Sequence, residues 1–116
     1  MAEAVEQFRG PDAIVGFSTH NQEQMRAAEF EPVDYVAFGP VFTTASKDRP
    51  DPTVGPAAIE AIRALTARPL VAIGGITLDT AADVIRAGAA SVAVISDLLS
   101  TGAPAARVRA YLARLA

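Results

Sequence analysis

The sequence predicts an α/β fold of four parallel strands, each followed by a helix, curved as half of a TIM (β/α)8 barrel. Two observations predict it. The first is alternation: four strand-length apolar runs, 13–18, 33–39, 69–75 and 91–96, are separated by segments with helical periodicity. Strand–helix alternation of this kind builds a parallel sheet. The second is parity within the runs. Val15 and Phe17, Val36 and Phe38, Val71 and Ile73, and Val92 and Val94 hold bulky side chains, whereas Gly16, Ser18, Ala37, Gly39, Ala72, Gly74 and Ala93 are small. Alternate residues of a strand face opposite ways. Bulk on one face suits a layer of helices, and small residues on the other suit a barrel interior. A doubly wound sheet, covered on both faces, calls for bulk on both. A complete barrel needs about 200 or more residues, so a chain of 116 residues supplies half of one, as a single domain spanning 1–116.

The elements follow in order. The opening residues to Phe8 read as the tail of a helix. Asn21 and Gln24 have capping-box spacing, and Met25, Ala28 and Phe30 fit one face of the helix they start. Gly55-Pro56 opens the next helix, with proline in its first turn and Ile59, Ile62 and Leu65 as its buried stripe. Thr77 caps the third, with Ala81, Val84 and Ile85 facing inward and Gly88 ending it. The last runs on from Pro104 with Val108, Leu112 and Leu115 as apolar positions.

Composition excludes several classes of function. A net charge of −3 gives no electrostatic reason to bind nucleic acid or an anionic membrane. With no cysteine, disulfides and thiolate metal sites are excluded, and a reducing, cytoplasmic setting is compatible. The N-terminal residues lack the apolar run of a signal peptide, and no stretch approaches a membrane span.

In such a barrel the chemistry lies at the carboxyl ends of the strands. Those ends carry 18–21, 39–42, Gly74-Gly75-Ile76 and Ser96-Asp97. The last two end neighbouring strands. Gly74-Gly75 lets the backbone approach an anion, Ser96 adds a hydroxyl, and the N–H groups of the helix begun by Thr77 favour negative charge. Asp97, a carboxylate beside that corner, is expected to point outward. The long 43–54 loop holds Thr43, Thr44, Ser46, Lys47 and Arg49, and hydroxyls followed by lysine can hold a phosphorylated substrate. His20 is the sole histidine; beside a helix cap it reads first as local structure. No paired carboxylates and no serine–histidine–aspartate order are readable.

Taken together, 16–21, 34–42, Thr44-Ala45-Ser46-Lys47, 71–76 and 92–96 resemble, in order and spacing, the successive signatures of thiamine phosphate synthases, over roughly residues 12 to 100. The resemblance implies the C-terminal half of that TIM barrel. It implies a transferase condensing 4-amino-2-methyl-5-(diphosphooxymethyl)pyrimidine with a thiazole phosphate, releasing pyrophosphate, by a dissociative route through a pyrimidine methyl cation. It implies Ser18 and Lys47 on the pyrimidine diphosphate, both as candidate catalytic residues. Thr44, Ala45, Ser46, Gly75, Ile95 and Ser96 would contact the thiazole phosphate. Mg²⁺ is the implied cofactor, with its aspartate ligands in the N-terminal half of the family and none expected in this chain. Two departures stand out: Ala45 replaces a loop proline, and Asp97-Leu98-Leu99 replaces an Ala-Ile after Ser96. The related thiazole tautomerases carry a catalytic histidine where this chain has Pro40. A tautomerase-like isomerase and a non-catalytic phosphate-binding half-barrel are the alternative readings. The partners expected are small phosphorylated molecules, together with a second copy of the chain or the missing N-terminal half-barrel.

Overall fold

A computed structural model describes residues 13–42 and 55–116. Strands β1 (Gly16–Thr19), β2 (Tyr35–Phe38), β3 (Leu70–Ile73) and β4 (Ser91–Ala93) form one sheet in the order β1-β2-β3-β4, every pair parallel. Helices α1 (Gln22–Ala28), α2 (Pro56–Arg63) and α3 (Leu78–Arg86) follow the first three strands, and α4 (Ser96–Leu99) and α5 (Pro104–Leu115) follow the fourth. This is the predicted topology, with one addition: the short helix α4 begins at Ser96, where the sequence reading ended a strand. The expected helix tail up to Phe8 lies outside the described residues.

The register shows which face is covered. Phe17 pairs with Val36, Val36 with Leu70, and Ala72 with Val92, so these residues share a face. Val36, Phe38, Leu70 and Ala72 on it are buried together with Met25 and Ala28 of α1, Ala58, Ile59 and Ile62 of α2, and Ala81 and Val84 of α3. The opposite face presents Gly16, Ser18, Ile73 and Ser91, all exposed. Helices therefore cover one face only, as half a barrel requires. One strand corrects the parity rule. Ala37 pairs with Val71, and Ile73 with Ala93, so Val71 and Ile73 belong to the inner face with the small residues. Leu70 and Ala72 take the helix side instead, because hydrogen-bonded register, not side-chain size, assigns a residue to its face.

The caps explain where the helices start and stop. At α1 the Gln24 N–H donates to Asn21 Oδ1 at 2.8 Å, and Gln24 Oε1 accepts from the His20 N–H at 2.7 Å. The reciprocal bond reaches one residue further back than in an ordinary capping box. Phe30 does not join the buried face: α1 ends at Ala28 and Phe30 is 87% exposed, because helical phase stops carrying meaning beyond the last turn. Arg68 closes that end by donating to the Ala28 and Glu29 carbonyls, while Arg63 donates to the carbonyls of Thr66 and Arg68. These guanidinium groups satisfy carbonyls that a helix end and a tight loop leave without partners. In α5 the buried residue is Tyr111, whereas Val108 and Leu112 are exposed. Together with Val92, Val94, Leu98 and Leu115 they line an open apolar groove between β4 and the last helices.

Candidate functional site

All four strands run in one direction, so their carboxyl ends meet at one end of the sheet. Between the ends of β3 and β4 lies an open cleft of about 390 Å³, whose wall includes Gly74, Gly75, Thr77, Ile95, Ser96 and Asp97. The structure thus brings together three of the residues expected at a phosphate, Gly75, Ile95 and Ser96. Ser18 sits on the inner face of β1, on the far side of β2 from β3, and does not line this cleft. Thr44, Ala45, Ser46 and Lys47 lie outside the described residues.

Two residues of this wall carry backbone donors without a described acceptor. No described residue accepts a hydrogen bond from the Gly75 or the Ser96 N–H, and both residues are exposed. Gly75 adopts φ 69°, and a Cβ built there would stand 2.6 Å from the Phe42 carbonyl oxygen. Glycine is needed both for the turn and for the packing of the β2 loop against it.

The start of α3 corrects the expectation of free N–H groups. The Thr77 N–H donates to Thr80 Oγ1 at 3.0 Å, the Thr80 N–H to the Thr77 carbonyl at 3.1 Å, and the Leu78 N–H to Asp97 Oδ2 at 3.0 Å. The first turn is largely spoken for, and an anion in the cleft would depend on Gly75 and Ser96. The Asp97 carboxylate, expected to point outward, turns onto the helix layer at α3 and α5. Oδ1 accepts from the Arg107 guanidinium at 3.0 Å, and Oδ2 accepts from the Tyr111 hydroxyl as well as from Leu78. The Asp97 side chain is only 10% exposed. Hydrogen bonds from Arg107 and then Tyr111 hold the Asp97 carboxyl below the usual carboxylate range, against the opposing effect of burial. Burial, followed by the Asp97 contact, pushes the Tyr111 hydroxyl up. Nothing in the local sequence announces this cluster. Its one signal is that Arg107 and Tyr111 stand four residues apart, on one face of α5.

A pH dependence follows. Because folding lowers the pKa of Asp97, its contribution to stability is complete above the ordinary carboxylate range and is lost as pH falls through the lower folded value. Thermal melts across an acid series are expected to show Asp97→Asn less stable than the parent chain at neutral pH. The gap should narrow toward zero in acid; a gap independent of pH would contradict the charge assignment.

His20 is a structural residue. Its Nδ1 lies 2.8 Å from the Gly39 carbonyl, and since a carbonyl can only accept, Nδ1 carries the proton and donates. The ring ties the end of β1 to the end of β2, as the local reading anticipated. Among the described residues no three His, Asp or Glu side chains come together where a metal ion could sit.

Comparison with known proteins agrees with this geometry. The family described as thiamine monophosphate synthase matches residues 1–98. A thiamine-phosphate synthase of Koribacter versatilis (strain Ellin345) is 58% identical over 90 residues, 78% of this chain and 43% of that protein. The solved thiamine phosphate pyrophosphorylase from Pyrococcus furiosus superposes with a TM-score of 0.81 at 28% identity, covering 98% of this chain and 53% of the other. A chain of the Amycolatopsis orientalis BexX/CysO complex shares the fold, with a TM-score of 0.70 at 22% identity over 98% of this chain and 48% of its own. The chain spans about half the length of the curated relatives it matches.

Proposed function

Because the chain belongs to the thiamine monophosphate synthase family, we propose that it is the phosphate-holding half of a transferase of thiamine biosynthesis. The substrates are the pyrimidine methyl diphosphate and a thiazole phosphate, and the products are thiamine phosphate and pyrophosphate. The observation that carries the reading is that Gly75 and Ser96 are exposed residues of one cleft at the ends of adjacent strands, and that their N–H groups find no acceptor among the described residues. Backbone N–H groups at strand ends hold a phosphate without the desolvation cost of a buried cation. In this reading Gly75, Ile95 and Ser96, with Thr44, Ala45 and Ser46, hold the thiazole phosphate, and Ser18 and Lys47 hold the diphosphate. The carbon–oxygen bond to the diphosphate breaks first. Pyrophosphate leaves with the electron pair, and the thiazole nitrogen donates its lone pair to the pyrimidine methyl cation. What this half contributes is position: a nucleophile fixed by its phosphate has already lost the freedom that a bimolecular encounter must give up.

Mg²⁺ belongs to the proposal through family resemblance alone. The described residues do not fit it, since none gather as ligands and the Asp97 carboxylate is engaged by Arg107, Tyr111 and Leu78. The resemblance implies aspartate ligands in the N-terminal half of the family, and no step is routed through the ion. The proposal has the chain act as a single half-barrel domain that closes against its complementary half, or against a second copy. Among the described residues both edge strands and the inner face are open to such a partner. A cytoplasmic location is also proposed. No cysteine asks for an oxidising compartment, and among the described residues no helix is long and apolar enough to cross a membrane. A tautomerase reading has less support, because Pro40 offers no proton-transferring group.

Titration of thiazole phosphate into the chain tests the reading. Amide resonances of Gly75 and Ser96 are expected to move, and Ser96→Ala, which removes one neutral hydroxyl, should weaken binding by about 1 kcal/mol. Binding that moves neither amide places the phosphate elsewhere and overturns the assignment.

A further inference from the structure

Asp97 borders the cleft, yet its carboxylate is bound as though it were a ligand. Three donors from two elements converge on it: the Leu78 N–H at the start of α3, the Arg107 guanidinium and the Tyr111 hydroxyl, both from α5. A helix-start amide, a planar cation and a hydroxyl are the groups that proteins use to hold phosphate. Here they hold an internal anion instead. We propose that Asp97 is a specificity-determining residue, whose carboxylate fills the place of a second phosphate group beside the Gly75–Ser96 corner. The cleft then accepts a phosphate monoester and rejects a diphosphate.

The inference rests on the reading of that corner as a phosphate site. Two effects act together. A diphosphate seated at Gly75 and Ser96 would bring its outer phosphate toward a carboxylate that already takes the Leu78 N–H, an Arg107 Nη donor and the Tyr111 hydroxyl, so those three donors would be closed to it. It would also bring more negative charge toward the Asp97 carboxylate than a monoester does. A monoester meets less of this repulsion, since it carries less charge and has no outer phosphate to bring toward the carboxylate. In a reaction that consumes one monophosphate and one diphosphate, such a device keeps the diphosphate and the released pyrophosphate out of the monophosphate corner.

The test compares inorganic phosphate and pyrophosphate binding to the 116-residue chain and to Asp97→Ser and Asp97→Asn, read by backbone amide shifts. In the parent chain phosphate should move Gly75 and Ser96, pyrophosphate should bind more weakly, and Leu78 should stay still. In Asp97→Ser the preference for pyrophosphate over phosphate should rise about tenfold or more, the scale of regained charge-assisted hydrogen bonds, and pyrophosphate should now move Leu78. Asp97→Asn keeps the shape and removes the charge, so a smaller rise is expected; should the serine variant fail to fold, this isosteric one decides. An unchanged ratio in the folded variants, or a Leu78 shift by pyrophosphate in the parent chain, overturns the proposal. If phosphate leaves Gly75 and Ser96 unmoved, the corner reading fails and the specificity role of Asp97 falls with it; if phosphate moves both amides and only the ratio is unchanged, the corner reading stands and the role of Asp97 alone fails.

Discussion

Supplied with Mg²⁺ and both phosphorylated substrates, the 116-residue chain on its own is expected to make thiamine phosphate at least about 1000-fold more slowly than a full-length relative, because only one of two substrates is positioned. On the proposed reading, half of the barrel would supply one phosphate corner and would leave the rest of the reaction open to water. Ile73, on the inner face, is 39% exposed and Ile95 beside the cleft is 69% exposed, although a closed barrel packs that interior with side chains. An unenclosed site also loses the low dielectric that strengthens every contact to a developing charge. The second substrate would have only Ser18 and Lys47 from this chain, with Ser18 two strands away from β3. Adding a separately produced N-terminal half of a relative should restore turnover if the open edges of β1 and β4 accept it. Steady turnover by the isolated chain, at a rate near that of full-length relatives, would defeat the half-site argument.

The exposed edges bear on association as well. Among the described residues β1 and β4 each have one strand neighbour, and unpaired parallel edges invite pairing with another chain. Beside β4 the groove of Val92, Val94, Leu98, Val108, Tyr111, Leu112 and Leu115 continues the apolar surface onto α5. Val108 and Leu112 have the spacing of an apolar stripe on α5, yet both are exposed. Their pattern is sound, but the described part of the chain supplies nothing to cover it.

Several features of the fold were readable because they depend on local pattern. Apolar runs located the strands, Thr77 and Asn21 marked helix starts, and Gly55-Pro56 marked another. Gly75 and Ser96 were readable as a pair because strand order puts consecutive strand ends side by side. The failures all involve information that is not local. Size alternation assigned Val71 and Ile73 to the helix face, but the partnering of Val36 with Leu70 decides otherwise, and register is a property of two strands. Asp97 looked like a stray charge, since the groups that hold it, Arg107 and Tyr111, are ten and fourteen residues away. Only the packing of α5 along α3 brings them to it.

The second large effect is expected at Gly75. Valine there should destabilise the chain by about 2–6 kcal/mol, combining the strain of a β-branched residue at positive φ with forced overpacking. It should also abolish phosphate binding. Those two outcomes alone would not separate a damaged turn from a blocked anion, because a Cβ at Gly75 meets the Phe42 carbonyl oxygen at 2.6 Å and the Phe42 Cβ at 2.9 Å. The chain carries its own control. Gly102 has φ 74°, close to the 69° of Gly75, but nothing lies within 4 Å of a Cβ built on it. Gly102→Ala therefore measures the conformational cost alone, about 1 kcal/mol. Gly75→Ala should cost that much plus the displacement of the β2 loop, a further 1–3 kcal/mol or so. Chemical denaturation of the two alanine variants gives the difference directly. If they lose equal stability, Phe42 gives way freely and the close packing of the two strand-end loops is not what holds Gly75 in place. If Gly75→Ala is the weaker of the two, any phosphate affinity that it keeps reports how far backbone approach itself depends on a bare Cα, since alanine adds only one methyl group to the turn.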